Sequence, residues 1–173
     1  TPPGTAPEMV QFMSTLWHRS SPLAAIAALA PSAKVGVASG EDVGAGARLA
    51  ASAEVAIVFA WQTRTEGQDL PNLSLPAGQD DVIRKVSAAN PGTVVVLQTG
   101  GSVLTPWAPQ VGAILAGWYS GNRGGEAIAN ILFGRVNPSG RLPISFPRAE
   151  ADLPRPHPPK PQADPMKPDP PAR

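Results

Sequence analysis

Apolar residues fall along the middle of this chain in two alternating rhythms, one at helical spacing and one in unbroken β-branched runs. SPLAAIAALAPS (21–32) sets Leu, Ile and Ala at helical intervals behind Ser21, with Pro22 in the first turn, and predicts a helix; AKVGVA after it predicts a short strand. A second helix is expected over roughly residues 43 to 53. EVAIVFA (54–60) is continuously apolar, as expected of a strand covered on both faces in a parallel sheet. GQDDVIRKVSAAN (78–90) is amphipathic, with Val82, Ile83 and Val86 on one face, and Asn90-Pro91 ends it. GTVVVLQT (92–99) and VGAILAGWY (111–119) predict two further strands, and SGNRGGEAIANILFGRV turns through its glycines into a last helix. Strands alternating with helices at this spacing imply βαβ crossovers, hence the α/β class with a mostly parallel, doubly wound sheet.

The flanks differ from this body. Residues 1–20 are irregular and proline-bearing, residues 21–147 carry the α/β pattern, and from Pro147 onward the chain holds ten of its 22 prolines with almost no large apolar side chains. Residues 148–173 are therefore expected to form an extended, poorly ordered tail. The sequence starts at Thr1, as a processed or excised piece would, and its start lacks the basic and apolar regions of a secretory signal. No stretch approaches the length needed to span a bilayer, and a net charge of +1 with mixed signs gives no footprint for a nucleic acid or an anionic membrane. The expected partners thus include no nucleic acid and no membrane. The absence of cysteine removes disulfides, thiolate catalysis and cysteine-bound zinc, and two distant histidines make no metal constellation.

In open α/β sheets ligands bind beyond the carboxyl ends of the strands, at the switch in strand order. Three loops meet that description, 61–76, 99–106 and 119–125, and of these only the first contains carboxylates, within RTEGQDLPNLSLP (64–76). This places Glu66 at the carboxyl end of a central strand, with Trp61 beside it as an apolar or sugar-stacking surface and Arg64 as a further candidate for substrate binding. Residue type alone leaves Glu66 and Asp69 open between catalysis and a solvated, turn-forming role. Paired carboxylates suit glycoside hydrolysis, but Asp69 shares a short loop with Glu66 and is poorly placed to act from the opposite side of a scissile bond. Other patterns fail: Ser120 sits one place late for a G-x-S-x-G elbow, and His18 and His157 lie in the irregular ends. GAGARL (44–49) matches a dinucleotide fingerprint only in its first glycines, and SGNRGGEA lacks the lysine and hydroxyl residue of a P-loop. Trp107 and Trp118 could line a sugar site, although aromatic residues at strand ends more often belong to the core.

The segments NLSLPAGQ, NPGTVVVLQTGGSV, GWYSGNRGGEAIANILFG and NPSGRLPISFP occur in an order and spacing that closely resemble the C-terminal domain of family 3 glycoside hydrolases, the β-glucosidase and exo-glucanase family. The resemblance covers about residues 22 to 147. It implies a three-layer α/β/α sandwich and no cofactor. It also implies a cleft shared with a preceding barrel domain that carries the nucleophilic aspartate. Glu66 matches the general acid/base glutamate of that family's loop, with Asp69 as runner-up, and the substrate implied is a β-glucoside or short β-glucan. Acting near neutral pH would require desolvation, on closure of domain and substrate, to raise the Glu66 pKa. The 173 residues contain no barrel, so the chain by itself is expected to be incomplete and inactive. A non-catalytic sugar-binding or partner-docking role for the same crevice is the alternative.

Overall fold

The structure, a computed structural model, describes residues 20–64 and 70–154. Within them lie four α-helices: α1 (Pro22–Leu29), α2 (Val43–Ala51), α3 (Gln79–Ala89) and α4 (Gly124–Leu132). Three strands, β1 (Ile57–Trp61), β2 (Val94–Gln98) and β3 (Ala113–Ala116), form a wholly parallel sheet in the order β1-β2-β3. Ile57 stands opposite Val94, Trp61 opposite Gln98, and Leu97 opposite Ala116. The chain divides into two compact units, one of residues 20–33 and 120–138, the other of 34–64, 70–119 and 139–154.

The smaller unit is the pair α1 and α4. Ser21 caps α1 as its position before Pro22 predicts, its Oγ accepting the Ala24 N–H at 3.2 Å. The helices approach closely where α4 begins: the Gly125 N–H donates to Ser20 Oγ at 2.8 Å, and a Cβ on Gly125 would stand 2.7 Å from the Ser21 carbonyl carbon. A side chain there would push the backbones apart, so glycine is dictated by space.

In the larger unit, Val95, Val96 and Leu97 are all buried although successive strand residues point to opposite faces, so β2 is covered on both sides as its unbroken apolar run requires. One face, with Val58, Ala60, Val95 and Leu97, packs against Ile83 of α3, Leu75, Val103 and Trp107. Val86 of α3 extends the core to Ala50 of α2 and Ala56. The predicted face of Val82, Ile83 and Val86 is therefore the face that packs. Asp80 and Asp81 in the first turn of α3 suit the positive end of its dipole.

Asn90, at the end of α3, is buried and fully occupied. Its amide donates to the carbonyls of Ala50 and Ala53 at 3.0 and 2.9 Å, and its Oδ1 accepts the Gly92 N–H at 2.9 Å. It thereby closes the carboxyl end of α2 and turns the chain into β2. NPSGRLPISFP returns along the segment after β2: Ser102 Oγ donates to the Ser145 carbonyl at 2.7 Å and the Thr105 N–H to that of Pro147 at 2.8 Å.

Two expectations are corrected. AKVGVA forms no ladder; Val35 and Val37 alternate as a strand would, but both side chains are exposed and the backbone has no described neighbour with which to pair. β1, expected to be central, lies at the edge of the described sheet. The tail region begins with order, since a 3₁₀ turn (Glu150–Asp152) follows Pro147 and Asp152 accepts the Arg148 and Ala149 N–H groups at 3.3 Å. Residues 1–19 and 155–173, with His18 and His157, lie outside the described residues.

Candidate functional site

The carboxyl ends of β1 and β2 border a hollow lined by Trp61, Gln62, Thr63, Arg64, Gln98 and Tyr119, of about 320 Å³. A second hollow of about 380 Å³ lies against the same stretch of chain, bounded by Trp61, Leu70, Asn72, Leu75 and Pro76 among others. Trp61 thus faces both, and at 52% exposure it is a large apolar ring held open to solvent. Of the residues singled out from the sequence, Trp61 and Arg64 are brought together here. Glu66 and Asp69 lie outside the described residues, in the segment 65–69 that connects the two stretches lining these hollows.

The supporting contacts are local in space and remote in sequence. β1 delivers Gln62, whose N–H continues the ladder to the Gln98 carbonyl at 3.2 Å and whose buried side chain accepts the Arg64 Nε–H at 3.0 Å. The Tyr119 hydroxyl donates to the Gln62 carbonyl at 2.6 Å, which ties the segment after β3 to the end of β1. The Arg64 chain lies across Gly100 and Gly101. A Cβ at Gly100 would stand 2.8 Å from both Arg64 Cδ and Tyr119 Cε2, and one at Gly101 3.0 Å from an Arg64 Nη. The two glycines after β2 are thus the floor on which Arg64 and Tyr119 rest.

Backbone strain gathers at this end of the sheet. Trp118 has φ +52° and Ala77 φ +56°, a left-handed conformation that side chains with a Cβ seldom adopt. Trp118 is held by packing against the Phe146 ring, with centroids 5.9 Å apart, and its twist presents Tyr119 to the hollow. Ala77 and Gly78 together turn the chain into α3. Trp107, the other aromatic weighed as a sugar-site residue, is a core residue with no exposed surface, its indole N–H donating to Asp80 Oδ1 at 2.7 Å.

Gln62 and Tyr119 were not singled out from the sequence, nor was Gln79, whose carboxamide bonds both backbone groups of Trp61. Gln79 and Tyr119 fall within NLSLPAGQ and GWYSGNRGG, so the pieces carrying the family resemblance also carry the site's supports.

The profile of the family described as Glycosyl hydrolase family 3 C-terminal domain matches residues 4–170. The chain belongs to that family. Beta-glucosidase B of Emericella nidulans is 49% identical over 111 residues, which cover 61% of this chain and 13% of that protein. Among solved structures, the β-glucosidase DesR of Streptomyces venezuelae, crystallised with D-glucose, is 51% identical at a TM-score of 0.60, covering 62% of this chain and 14% of that one. A β-glucosidase of Chaetomium thermophilum is 29% identical at a TM-score of 0.71, covering 79% and 18%. The chain spans about a seventh of the length of the curated relatives it matches. As a member of the family 3 C-terminal domain it has the expected α/β sandwich class, with its parallel sheet and helices.

Proposed function

We propose that this family 3 C-terminal domain supplies the general acid/base, Glu66, to a retaining β-glucosidase-type hydrolase that removes terminal β-D-glucosyl residues. A barrel domain would carry the nucleophilic aspartate. Residues 21–147 would form the body of the domain. The observation that carries the reading is the hollow at the carboxyl ends of β1 and β2, where Trp61, Arg64 and Tyr119 converge at the point from which the Glu66 segment departs. The β-glucosidase names of the relatives support the same chemistry.

In this reaction the aspartate attacks the anomeric carbon while the protonated Glu66 gives its proton to the departing glycosidic oxygen, so that the carbon–oxygen bond breaks and a glycosyl-aspartate forms. The Glu66 carboxylate then takes a proton from water, whose oxygen displaces the aspartate and releases the sugar with its configuration retained. Retention by this route places the two carboxyl groups about 5 to 5.5 Å apart. Trp61 would stack on the apolar face of a sugar ring, and Arg64, braced by Gln62 and the glycine floor, would donate to hydroxyls.

The test is hydrolysis of a chromogenic aryl β-glucoside by the purified chain, alone and mixed with an excess of a family barrel domain, comparing wild type, Glu66→Gln and Asp69→Asn. The expected result is activity in the mixture alone, abolished by Glu66→Gln. Activity lost in Asp69→Asn and kept in Glu66→Gln would transfer the role to Asp69. Mixed-domain activity indifferent to both would leave a sugar-binding or docking module.

A further inference from the structure

Gln79, the first residue of α3, makes three hydrogen bonds with one carboxamide. Its Oε1 accepts the Trp61 N–H at 2.8 Å, and its Nε2 donates to the carbonyls of Trp61 and Pro76, both at 2.9 Å. The Trp61 groups it engages are those that point away from β2, on the outer edge of β1. The side chain thus makes the pair of bonds that a neighbouring strand would make, at the last residue before the chain leaves the sheet. Its third bond holds Pro76, where the excursion from Trp61 returns to the scaffold. Gln79 is itself fixed by the left-handed turn at Ala77–Gly78 and by its own N–H donating to the Pro76 carbonyl at 3.3 Å.

We infer that Gln79 is a positioning residue: by clamping Trp61 to Pro76 it sets the two ends of the segment that contains Glu66 and fixes the Trp61 platform between the two hollows. It touches no substrate and acts through the backbone it holds. The kinetic consequence rests on the reading of Glu66 given above, whereas the clamp itself does not. Its geometry makes Gln specific. Glutamate has the same shape but offers oxygen to two carbonyls, and methionine has the length but no donor and only a weak sulfur acceptor.

Two measurements on the 173-residue chain test this, with Gln79→Glu and Gln79→Met compared with wild type. In amide hydrogen exchange, the Trp61 N–H is expected to exchange at least about tenfold faster in Gln79→Met, and by a smaller factor in Gln79→Glu, whose carboxylate still offers it an acceptor, while Val95, Val96 and Leu97 keep their protection. Unchanged exchange at Trp61, or an equal loss across β2, would overturn the clamp. In the barrel-complemented assembly, turnover of phenyl β-glucoside, whose leaving group needs a proton, is expected to fall about tenfold or more, and that of dinitrophenyl β-glucoside, whose leaving group does not, only slightly. Equal losses on both substrates would reduce Gln79 to a stabilising residue. Should Glu66→Gln itself show no such leaving-group dependence, the acid/base reading fails and the exchange result alone decides the clamp.

Discussion

Each end of the sheet in the larger unit is fastened by one carboxamide, and the two fastenings serve different ends. At the amino-terminal side Asn90 is buried, joins α2 to the start of β2, and has ordinary extended backbone at φ −142°. At the carboxyl side Gln79 holds an exposed strand end beside two left-handed non-glycine residues, an open tryptophan and two hollows. The same chemical group closes the structure at one end and keeps it open in a defined shape at the other. Among the described residues, left-handed backbone outside glycine lies at the end that borders the hollows and not at Asn90.

Substitutions at the two ends should therefore separate stability from function. The largest expected effect is Glu66→Gln, which should lower turnover in the barrel-complemented assembly by about 10²- to 10⁴-fold, while its thermal midpoint stays that of wild type in a melting scan. Leu97→Ala, in the fully buried middle of β2, should destabilise the chain by about 3 kcal/mol in urea unfolding, because it leaves a cavity between the sheet and α3. Asn90→Ala leaves two carbonyls and one N–H without their partner and should cost about 2 kcal/mol in the same assay, with KM in the assembly unchanged. Trp61→Ala, on a half-exposed ring, should lower the unfolding free energy least, by about 0.5 kcal/mol or less, but raise KM for an aryl glucoside several-fold. A Trp61 variant that unfolds readily while keeping its KM would erase the distinction between the two ends.

The elements that order the sheet could be read from the chain because their signals are local. The β-branched runs of β1 and β2, the face of Val82, Ile83 and Val86, and the Ser21 cap all depend on neighbours within a turn or a strand. The failure at AKVGVA shows the limit of that logic: a short apolar alternation states a capacity to pair, while pairing needs a neighbour that local sequence does not name. The fastenings were hidden for a related reason. Gln79 reaches back 18 residues to Trp61, Asn90 reaches 40 to Ala50, and Tyr119 reaches 57 to Gln62. No spacing rule selects a glutamine or asparagine for such contacts. Trp61 and Arg64 could be singled out because they flank a loop whose position in an α/β sheet is constrained by topology, and that constraint says nothing of what braces them.

Once Trp17 and Trp118 are replaced by phenylalanine, the contrast between Trp107 and Trp61 leaves two optical probes in one unit. Trp107, sealed from solvent, should emit at shorter wavelength and resist a water-soluble quencher, whereas Trp61, open on one side, should emit to the red and be quenched readily. A sugar that covers Trp61 would shield that component alone. Occupancy at the carboxyl end and integrity of the core could then be followed in one cuvette, by colour, as the protein is titrated or warmed.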